Sequence, residues 1–167
     1  RSSLGMKDSD LFIVLNPDVL ISQEALEEVV AQAKQDAFNL CAINLFRDEK
    51  FETYDPSVRR FPGFVVLTAS LLGFNRSYVV DKSTIAEPQN VDWAAGSFMA
   101  FKAGHFDKLG GFDEQFNMYA EDVDLCLRAR NKGIFSYYWP EAQLWHHVSA
   151  SLGGEFSFNK ICKKIIS

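Results

Sequence analysis

The sequence predicts an α/β fold built as one domain. Short apolar runs rich in β-branched and aromatic residues alternate with segments whose apolar residues recur at helical spacing. Long polar loops separate these segments, and 167 residues with 47% hydrophobic side chains suffice for a core of their own. Because strands and helices alternate, we expect the functional side chains at the carboxyl ends of the strands.

The chain begins with a predicted strand, helix and second strand. LFIVL (residues 11–15) is an unbroken apolar run, which is typical of a buried parallel strand. Pro17 cannot continue a central strand, so the backbone leaves the sheet there. Ser22 can cap a helix over residues 23–36, and LCAINLF (residues 40–46) is the next strand. The apolar stripe of the helix consists of Leu26, Val29, Val30 and Ala33.

Polar and apolar segments alternate through the middle of the chain. Residues 47–62 and 75–90 are polar and predict loops. Residues 64–74 are apolar and favour a helix, with a strand as the alternative. WAAGSFMAF (residues 93–101) predicts a buried strand, and Gly96 within it indicates close approach of a backbone or a ligand.

Two helices are predicted in the next stretch. The first spans residues 103–109 and stops at the Gly110-Gly111 pair. The second spans residues 121–132, with Gly133 in the C′ position and an i,i+4 ion pair between Asp124 and Arg128. The 3.6-residue spacing groups Val123, Cys126, Leu127 and Arg130 on one face.

The C-terminal part predicts two short strands, IFSYYW and QLWHHV, on either side of Pro140. Residues 152–167 then predict an amphipathic helix with three lysines on its polar face. Contact with an anionic membrane surface and docking onto the core are equal alternatives for that helix.

Composition narrows the class of protein. A net charge of −5 does not suit a general phosphate-backbone binder, so we expect no nucleic acid partner. The three cysteines are widely spaced among apolar residues, which indicates reduced, buried thiols in a cytoplasmic protein. No apolar run is long enough to span a bilayer, and RSSLGMKDSD at the start lacks the apolar core of a signal peptide.

Several polar residues are candidates for chemistry. Asp18, just past a strand end, can supply a hard oxygen ligand to Mg²⁺ or Mn²⁺, and Asn16 can bond a sugar hydroxyl. The alternative is a plain Asx-Pro turn, and alone it is favoured. Glu121 and Asp122 suit either a helix first turn or a substrate site, and the first turn is the usual explanation.

Several histidine, tryptophan and arginine residues are weaker candidates for binding a metal or a substrate. Only one of His146 and His147 can face a site from a strand, where it would suit a borderline metal. Trp93 can stack on a sugar, although packing is its commoner role. Arg59 and Arg60 can meet phosphate oxygens, with solvation as the default for loop arginines.

The order of these motifs along the chain indicates the function more strongly than any single motif does. The segments are LNPDV (15–19), RRFP (59–62), DWAAGSFMAF (92–101), GGFDEQFNMYAEDVDLCLRARNKG (110–133) and HHVSAS (146–151). Together they resemble the family-two glycosyltransferases, above all the bacterial rhamnosyltransferase branch. The resemblance covers most of residues 10–151, and its GGFDE to EDVDLCLR block is specific, whereas NPD alone is not.

The resemblance implies a fold of the GT-A type, a nucleotide-diphospho-sugar transferase domain over residues 1–151. Its central sheet is expected to be mostly parallel and flanked by helices. Members normally begin with a strand, a nucleotide-binding loop and a helix before the NPD strand, so this chain is expected to lack that N-terminal part.

The resemblance also implies roles for the candidate residues. Asp122 would be the catalytic base, with Glu121 orienting it or the acceptor. Asp18 would bind the divalent cation, although Asn16 replaces the first acid of the usual motif. His146, or His147 as the fallback, would lie near the metal or the diphosphate.

The remaining implications concern substrates. Trp93 to Gly96 would line the acceptor and donor-sugar pocket. The donor would be a nucleotide-diphosphate sugar, with dTDP-rhamnose as the candidate, and the acceptor a saccharide or lipid-linked saccharide at the inner face of the membrane. A different class stays open, which is a non-catalytic, transferase-like fragment that binds a partner or packs.

Overall fold

A six-stranded sheet forms the centre of the fold in a computed structural model that describes residues 5–35, 38–61, 63, 78–116 and 120–146. The strands are β1 Leu11–Leu15, β2 Val19–Leu20, β3 Leu40–Phe46, β4 Val58–Arg59, β5 Gln89–Val91, β6 Trp93–Ala94, β7 Phe98–Lys102 and β8 Ser136–His146. The helices are α1 Gln23–Lys34, α2 Ala103–Leu109 and α3 Glu121–Asn131, with a 3-10 helix at Lys82–Thr84. The large sheet has the order β1-β7-β3-β8-β2, with β5 also on β8, and β4 pairs with β6 separately.

The α/β class is confirmed, but the expected mostly parallel sheet is wrong for the described strands. Only β3 and β8 run parallel. β7 is antiparallel to both β1 and β3, and β2 and β5 are antiparallel to β8. A central strand is covered on both faces whichever way its neighbours run. An unbroken apolar run therefore does not specify strand direction. It does not guarantee burial either, because β1 lies at the edge of the described sheet and is partly exposed along its length, so its predicted burial is wrong.

The first helix begins as predicted and ends earlier. The Ser22 hydroxyl accepts a hydrogen bond from the Ala25 N–H at 3.1 Å, which caps α1. The helix ends at Lys34, whereas the periodicity predicted residue 36. Val29 is buried against the sheet, but Leu26 of the predicted stripe is exposed.

The predicted strand over residues 93–101 is two strands in two sheets. Trp93–Ala94 pairs with β4, and Phe98–Lys102 lies between β1 and β3. Residues 95–97 form the crossover between the sheets, and Gly96 is at its centre.

Conversely, the two strands predicted around Pro140 are one strand, β8. Its pairing with β3 shifts after Ile43, so that Pro140 falls in a bulge and need not donate to the ladder. The Asn44 side-chain amide donates to the Pro140 carbonyl at 3.3 Å and closes that bulge.

Two apolar clusters cover the opposite faces of the large sheet. Successive residues of β3 alternate between them: Cys41 packs on the α1 side, and Leu40 packs on the side of α2 and α3. Cys41 and Cys126 are buried free thiols, as predicted, and burial raises the pKa of each. Cys162 lies outside the described residues.

α3 confirms the ion pair and the C-terminal glycine but not the predicted face. Arg128 pairs with Asp124 at 2.6 Å, and Gly133 has a φ of 76°. The buried side chains are Asp122, Val123, Leu125, Cys126 and Ala129. Leu127 is 44% exposed, because the helix is rotated by about one residue from the predicted stripe, and both stripes satisfy 3.6-residue spacing.

Several predictions concern residues that the structure does not describe. These are the helix at 64–74, the second histidine His147 and the amphipathic helix at 152–167. Among the residues that are described, no helix combines the length and apolarity that crossing a membrane requires.

Candidate active site

The Asn-Pro-Asp segment forms a turn at the carboxyl end of β1. The Asn16 N–H donates to the Ser97 carbonyl at 3.0 Å, and the Asn16 carbonyl accepts from the Val19 N–H at 3.1 Å. The turn predicted from Asx-Pro chemistry is thus present. It also holds Asp18 at the edge of the sheet with a side chain only 20% exposed. A turn and a site residue are therefore compatible at this position.

His146 lies beside Asp18, as the metal-site hypothesis requires. Val19 of β2 pairs with His146 at the end of β8, and this register brings the imidazole to the turn. The His146 Nε2 atom is 3.3 Å from Asp18 Oδ1. Residues far apart in sequence are thus adjacent in the fold.

Asp55 is a third member of this cluster, and sequence reasoning missed it. Its Oδ2 atom lies 3.3 Å from His146 Nδ1, within hydrogen-bond distance, and 3.5 Å from Arg47 Nε. Burial alone would raise the pKa of Asp55, but the hydrogen bond and charge of His146, with the charges of Lys82 and Arg47, lower it overall. Nothing in the polar loop around Asp55 distinguishes it from neighbouring acids, so only the fold reveals its partners.

The same contacts act on the imidazole. The hydrogen bond with Asp55 raises the pKa of His146, burial opposes that effect, and the charges of Asp55 and Asp18 add to it. His146 therefore has a carboxylate on each side of its ring.

Asp18 and His146 suit a divalent cation. Asp18 Oδ1 is buried and accepts no hydrogen bond, although Nε2 of His146 is nearby. The carboxylate oxygen of Asp18 and the imidazole nitrogen of His146 would together suit a divalent cation that accepts both oxygen and nitrogen ligands. Among the described residues, no group of three or more His, Cys, Asp or Glu side chains is arranged for a metal ion. A cation here would take its other ligands from water and substrate phosphates, as Mg²⁺ usually does.

Asp122 is a buried carboxylate in the first turn of α3, only 8% exposed. Its Oδ2 accepts from the Gly96 N–H at 3.1 Å, and its Oδ1 accepts from the Val123 N–H at 2.8 Å. Burial raises the pKa of Asp122 against the opposing effects of these hydrogen bonds and of the Arg59 charge. The carboxylate thus satisfies one first-turn N–H of α3 and is also fixed to the crossover of the sheets.

The backbone entering α3 has an unusual conformation. Ala120, the residue before Glu121, has a φ of 82° and provides no side-chain cap. The left-handed region costs a non-glycine residue about 1–2 kcal/mol. Such conformations are concentrated at functional sites. The side chain of Glu121 is partly buried behind it.

Arg59 and Trp93 form a stacked pair in the small sheet. They are register partners in β4 and β6, and Arg59 Cζ lies 5.1 Å from the Trp93 ring and 5.5 Å from the Tyr78 ring. Arg59 is 7% exposed, so it is not the solvated loop residue expected. Burial lowers its pKa, and the charges of Tyr78, Asp122 and Asp55 oppose that.

The other predicted substrate residues differ in exposure. Trp93 is 1% exposed and donates its indole N–H to the Arg60 carbonyl at 3.0 Å, so in this conformation it packs. The Arg60 side chain is exposed. Among the described residues, a Cβ on Gly96 would meet only Asp122 Cβ, at 3.7 Å, so none of their atoms requires glycine there.

One short segment joins the two halves of the site. The Ser97 carbonyl holds the Asn16 turn, and the adjacent Gly96 N–H holds Asp122. The crossover at residues 95–97 therefore holds both the Asn16 turn and the Asp122 carboxylate in place.

Known proteins resemble this chain over most of its length. A family model described as "Glycosyltransferase like family 2" matches residues 4–159. Rhamnosyltransferase WbbL of Escherichia coli (strain K12) is 35% identical over 144 residues, 84% of this chain and 53% of that protein. N-acetylglucosaminyl-diphospho-decaprenol L-rhamnosyltransferase of Mycobacterium tuberculosis (strain ATCC 25618 / H37Rv) is 32% identical over 151 residues, 86% of this chain and 49% of that protein. The chain thus spans about half the length of these relatives.

Proposed function

This chain belongs to glycosyltransferase-like family 2, and from that premise we propose that it carries the catalytic residues of an inverting sugar transfer. The donor would be a nucleotide-diphosphate sugar and the acceptor a saccharide hydroxyl in cell-surface polysaccharide synthesis. The observation that carries the proposal is Asp122, a carboxylate that is buried and anchored by two backbone N–H groups.

Asp122 would act as the general base. A sugar hydroxyl is a poor nucleophile, so a positioned base must take its proton as the hydroxyl attacks the anomeric carbon. Burial raises the pKa of Asp122, which makes the ionised carboxylate a better proton acceptor. The bond from the anomeric carbon to the diphosphate oxygen breaks on the opposite side, and the configuration inverts. Glu121, next to the base, would orient it or the acceptor.

Asp18 and His146 would hold Mg²⁺ or Mn²⁺ against the diphosphate. When bound, the cation offsets the negative charge that develops on the leaving group. The exposed Arg60 would add positive charge near the phosphates, whereas the buried Arg59 would act through its charge on Asp122. Asn16 and the segment from Trp93 to Gly96 would shape the sugar pocket between these groups.

The names of the relatives suggest the substrates. Both are rhamnosyltransferases by name, and the mycobacterial one is named for an N-acetylglucosaminyl-diphospho-decaprenol acceptor. We therefore propose rhamnosyl transfer, with dTDP-rhamnose as donor and a lipid-linked saccharide as acceptor. Such an acceptor would place the protein at the cytoplasmic face of a membrane, where residues 152–167 would make peripheral contact.

The test is turnover of dTDP-rhamnose with a polyprenyl-diphosphate N-acetylglucosamine acceptor and Mn²⁺, using the full-length protein. Asp122→Asn should bind the donor normally and lose about 10²–10⁴-fold in turnover. Asp124→Asn is the matched control, since Asp124 pairs with Arg128 in the same helix and should retain activity. Turnover of Asp122→Asn within a few-fold of wild type would exclude the base. Absence of donor binding in wild type would favour a non-catalytic binding module.

A further inference from the structure

Asp55 is a buried carboxylate that the mechanism above does not use. Its backbone is held in place: the Asp55 N–H donates to the Leu45 carbonyl at 2.9 Å, and the adjacent Tyr54 forms a β-bridge with Phe46. The Lys82 ammonium donates to the same Leu45 carbonyl at 2.7 Å. The carboxylate is therefore attached to the end of a central strand and not to a mobile loop tip.

The two nitrogens of His146 have different surroundings. Nδ1 makes a hydrogen bond with Asp55 Oδ2, whereas Nε2 faces Asp18 Oδ1, which accepts no hydrogen bond. In a neutral imidazole one nitrogen carries the proton and the other carries a lone pair. A proton on Nδ1 satisfies Asp55 and leaves the Nε2 lone pair unprotonated on the side of the ring where Asp18 lies.

We propose that Asp55 is a positioning residue that accepts the Nδ1 proton of His146 and so presents Nε2, together with Asp18, to a divalent cation. This inference rests on the proposed metal-binding role of Asp18 and His146. A carboxylate that fixes the orientation and tautomer of a ligating histidine is a recurring arrangement, and its loss typically costs 10–100-fold in metal affinity.

The charge beside Asp55 suits this task. Arg47 lies 3.5 Å from the oxygen that contacts His146. This permanent positive charge favours the carboxylate form of Asp55, which can only accept hydrogen bonds. An acceptor beside Nδ1 excludes the tautomer in which that nitrogen carries the lone pair.

The first experiment needs no metal. Protein labelled with ¹⁵N-histidine is studied by two-bond ¹H–¹⁵N correlation well above the imidazole pKa, with His146→Gln to assign the signals. We expect the His146 proton on Nδ1 in wild type, retention in Asp55→Asn, whose amide oxygen still accepts, and a shift towards Nε2–H in Asp55→Ala. A wild-type proton on Nε2 would overturn the inference.

The second experiment measures Mn²⁺ alone, by the electron paramagnetic resonance of the free ion. Asp55→Ala should weaken Mn²⁺ binding by about 10–100-fold, with Asp55→Asn much closer to wild type. Asp48→Asn is the control, because Asp48 accepts three backbone N–H bonds in the same loop and contacts none of the proposed ligands. If Asp55→Ala lowers only the melting temperature and binds Mn²⁺ like wild type, the role of Asp55 is structural.

The outcomes separate this inference from the proposed function. If Asp18→Ala binds Mn²⁺ as wild type does, the metal role of Asp18 is wrong, and the tautomer measurement alone decides the part played by Asp55. If Asp18→Ala abolishes binding while Asp55→Ala leaves it intact, only the positioning role is lost.

Discussion

The Gly96 N–H donates to Asp122 Oδ2 at 3.1 Å and so joins the crossover between the two sheets to the first turn of α3. This bond offsets part of the cost of burying the carboxylate, yet the pKa of Asp122 remains raised. Burial therefore makes Asp122 costly to stability in the ionised form that the proposed chemistry needs, although the Gly96 bond reduces that cost.

Asp122→Asn should therefore change how stability depends on pH. The pKa of Asp122 is raised in the folded protein above its usual 3.8, so wild type gains stability from proton binding below that value. That gain is lost as pH rises through the raised pKa. The difference in melting temperature, Asp122→Asn minus wild type, should accordingly be more positive at neutral pH than at acid pH. Asp124→Asn corrects for the loss of one carboxylate, and an equal pH trend in both variants would contradict the prediction.

Ala120→Gly should stabilise the protein. Glycine adopts a φ of 82° without the steric cost that alanine bears there, and we expect a gain of about 1 kcal/mol in the free energy of unfolding. The opposite sign is expected for Ala31→Gly at an exposed position within α1, with a loss of about 1 kcal/mol. Urea denaturation measures both. Destabilisation by Ala120→Gly would show that the buried methyl group of Ala120 contributes more to stability than its φ costs.

Gly96→Ala should separate function from folding. The added methyl meets only Asp122 Cβ at ordinary contact distance, and the φ of Gly96 is outside the left-handed region, so stability should change by less than about 1 kcal/mol. If Gly96 lines the acceptor pocket, displacing the substrate by about 1 Å would cost about 10²-fold in turnover. Gly63→Ala, with open space around it, serves as the control. Full activity of Gly96→Ala would place the pocket elsewhere.

Lys82→Met should reveal a buried amine whose charge is disfavoured. Lys82 is 3% exposed, and burial lowers its pKa from 10.5 to about 7 against the attraction of Asp55. The folded wild type therefore bears the full cost of the charge below pH 7 and loses that cost as pH rises towards 10.5. The gain in the free energy of unfolding from Lys82→Met should be greatest at about pH 7 and below, and it should decline as pH rises from 7 towards 10.5. Lys132→Met, at an exposed site, tests whether any lysine gives the same trend.

The sequence predicted where most strands and helices lie along the chain better than it predicted how the strands pair and in which direction they run. Apolar runs identify β3 and β7 because central strands are covered on both faces, whereas β1 has an apolar run although it is an edge strand of the described sheet. Strand direction and the Pro140 bulge depend on partners distant in the chain, which no local pattern specifies. Arg59 illustrates this limit, because its loop looks polar until Tyr78 and Trp93 enclose it.

The candidate site was predicted unevenly for the same reason. Motif order identified Asp18, Asp122 and His146, and the fold brings Asp18 and His146 together. Asp55 belongs to no recognisable pattern, since its significance comes entirely from an imidazole far along the chain.

The parallel pairing of β3 with β8, the only one among the described strands, has a consequence for how the protein folds. The bond from Asn44 to Pro140 spans 96 residues, and before β8 pairs, β3 is matched with β7 only at Leu40 and Cys41. Closing so long a stretch of chain costs entropy before any contact offsets it, so such pairings slow folding. His146 is the last residue of β8. During synthesis the centre of the sheet can therefore form only after β8 has been made. The Asp18–His146 pair also forms only then, because β8 carries His146.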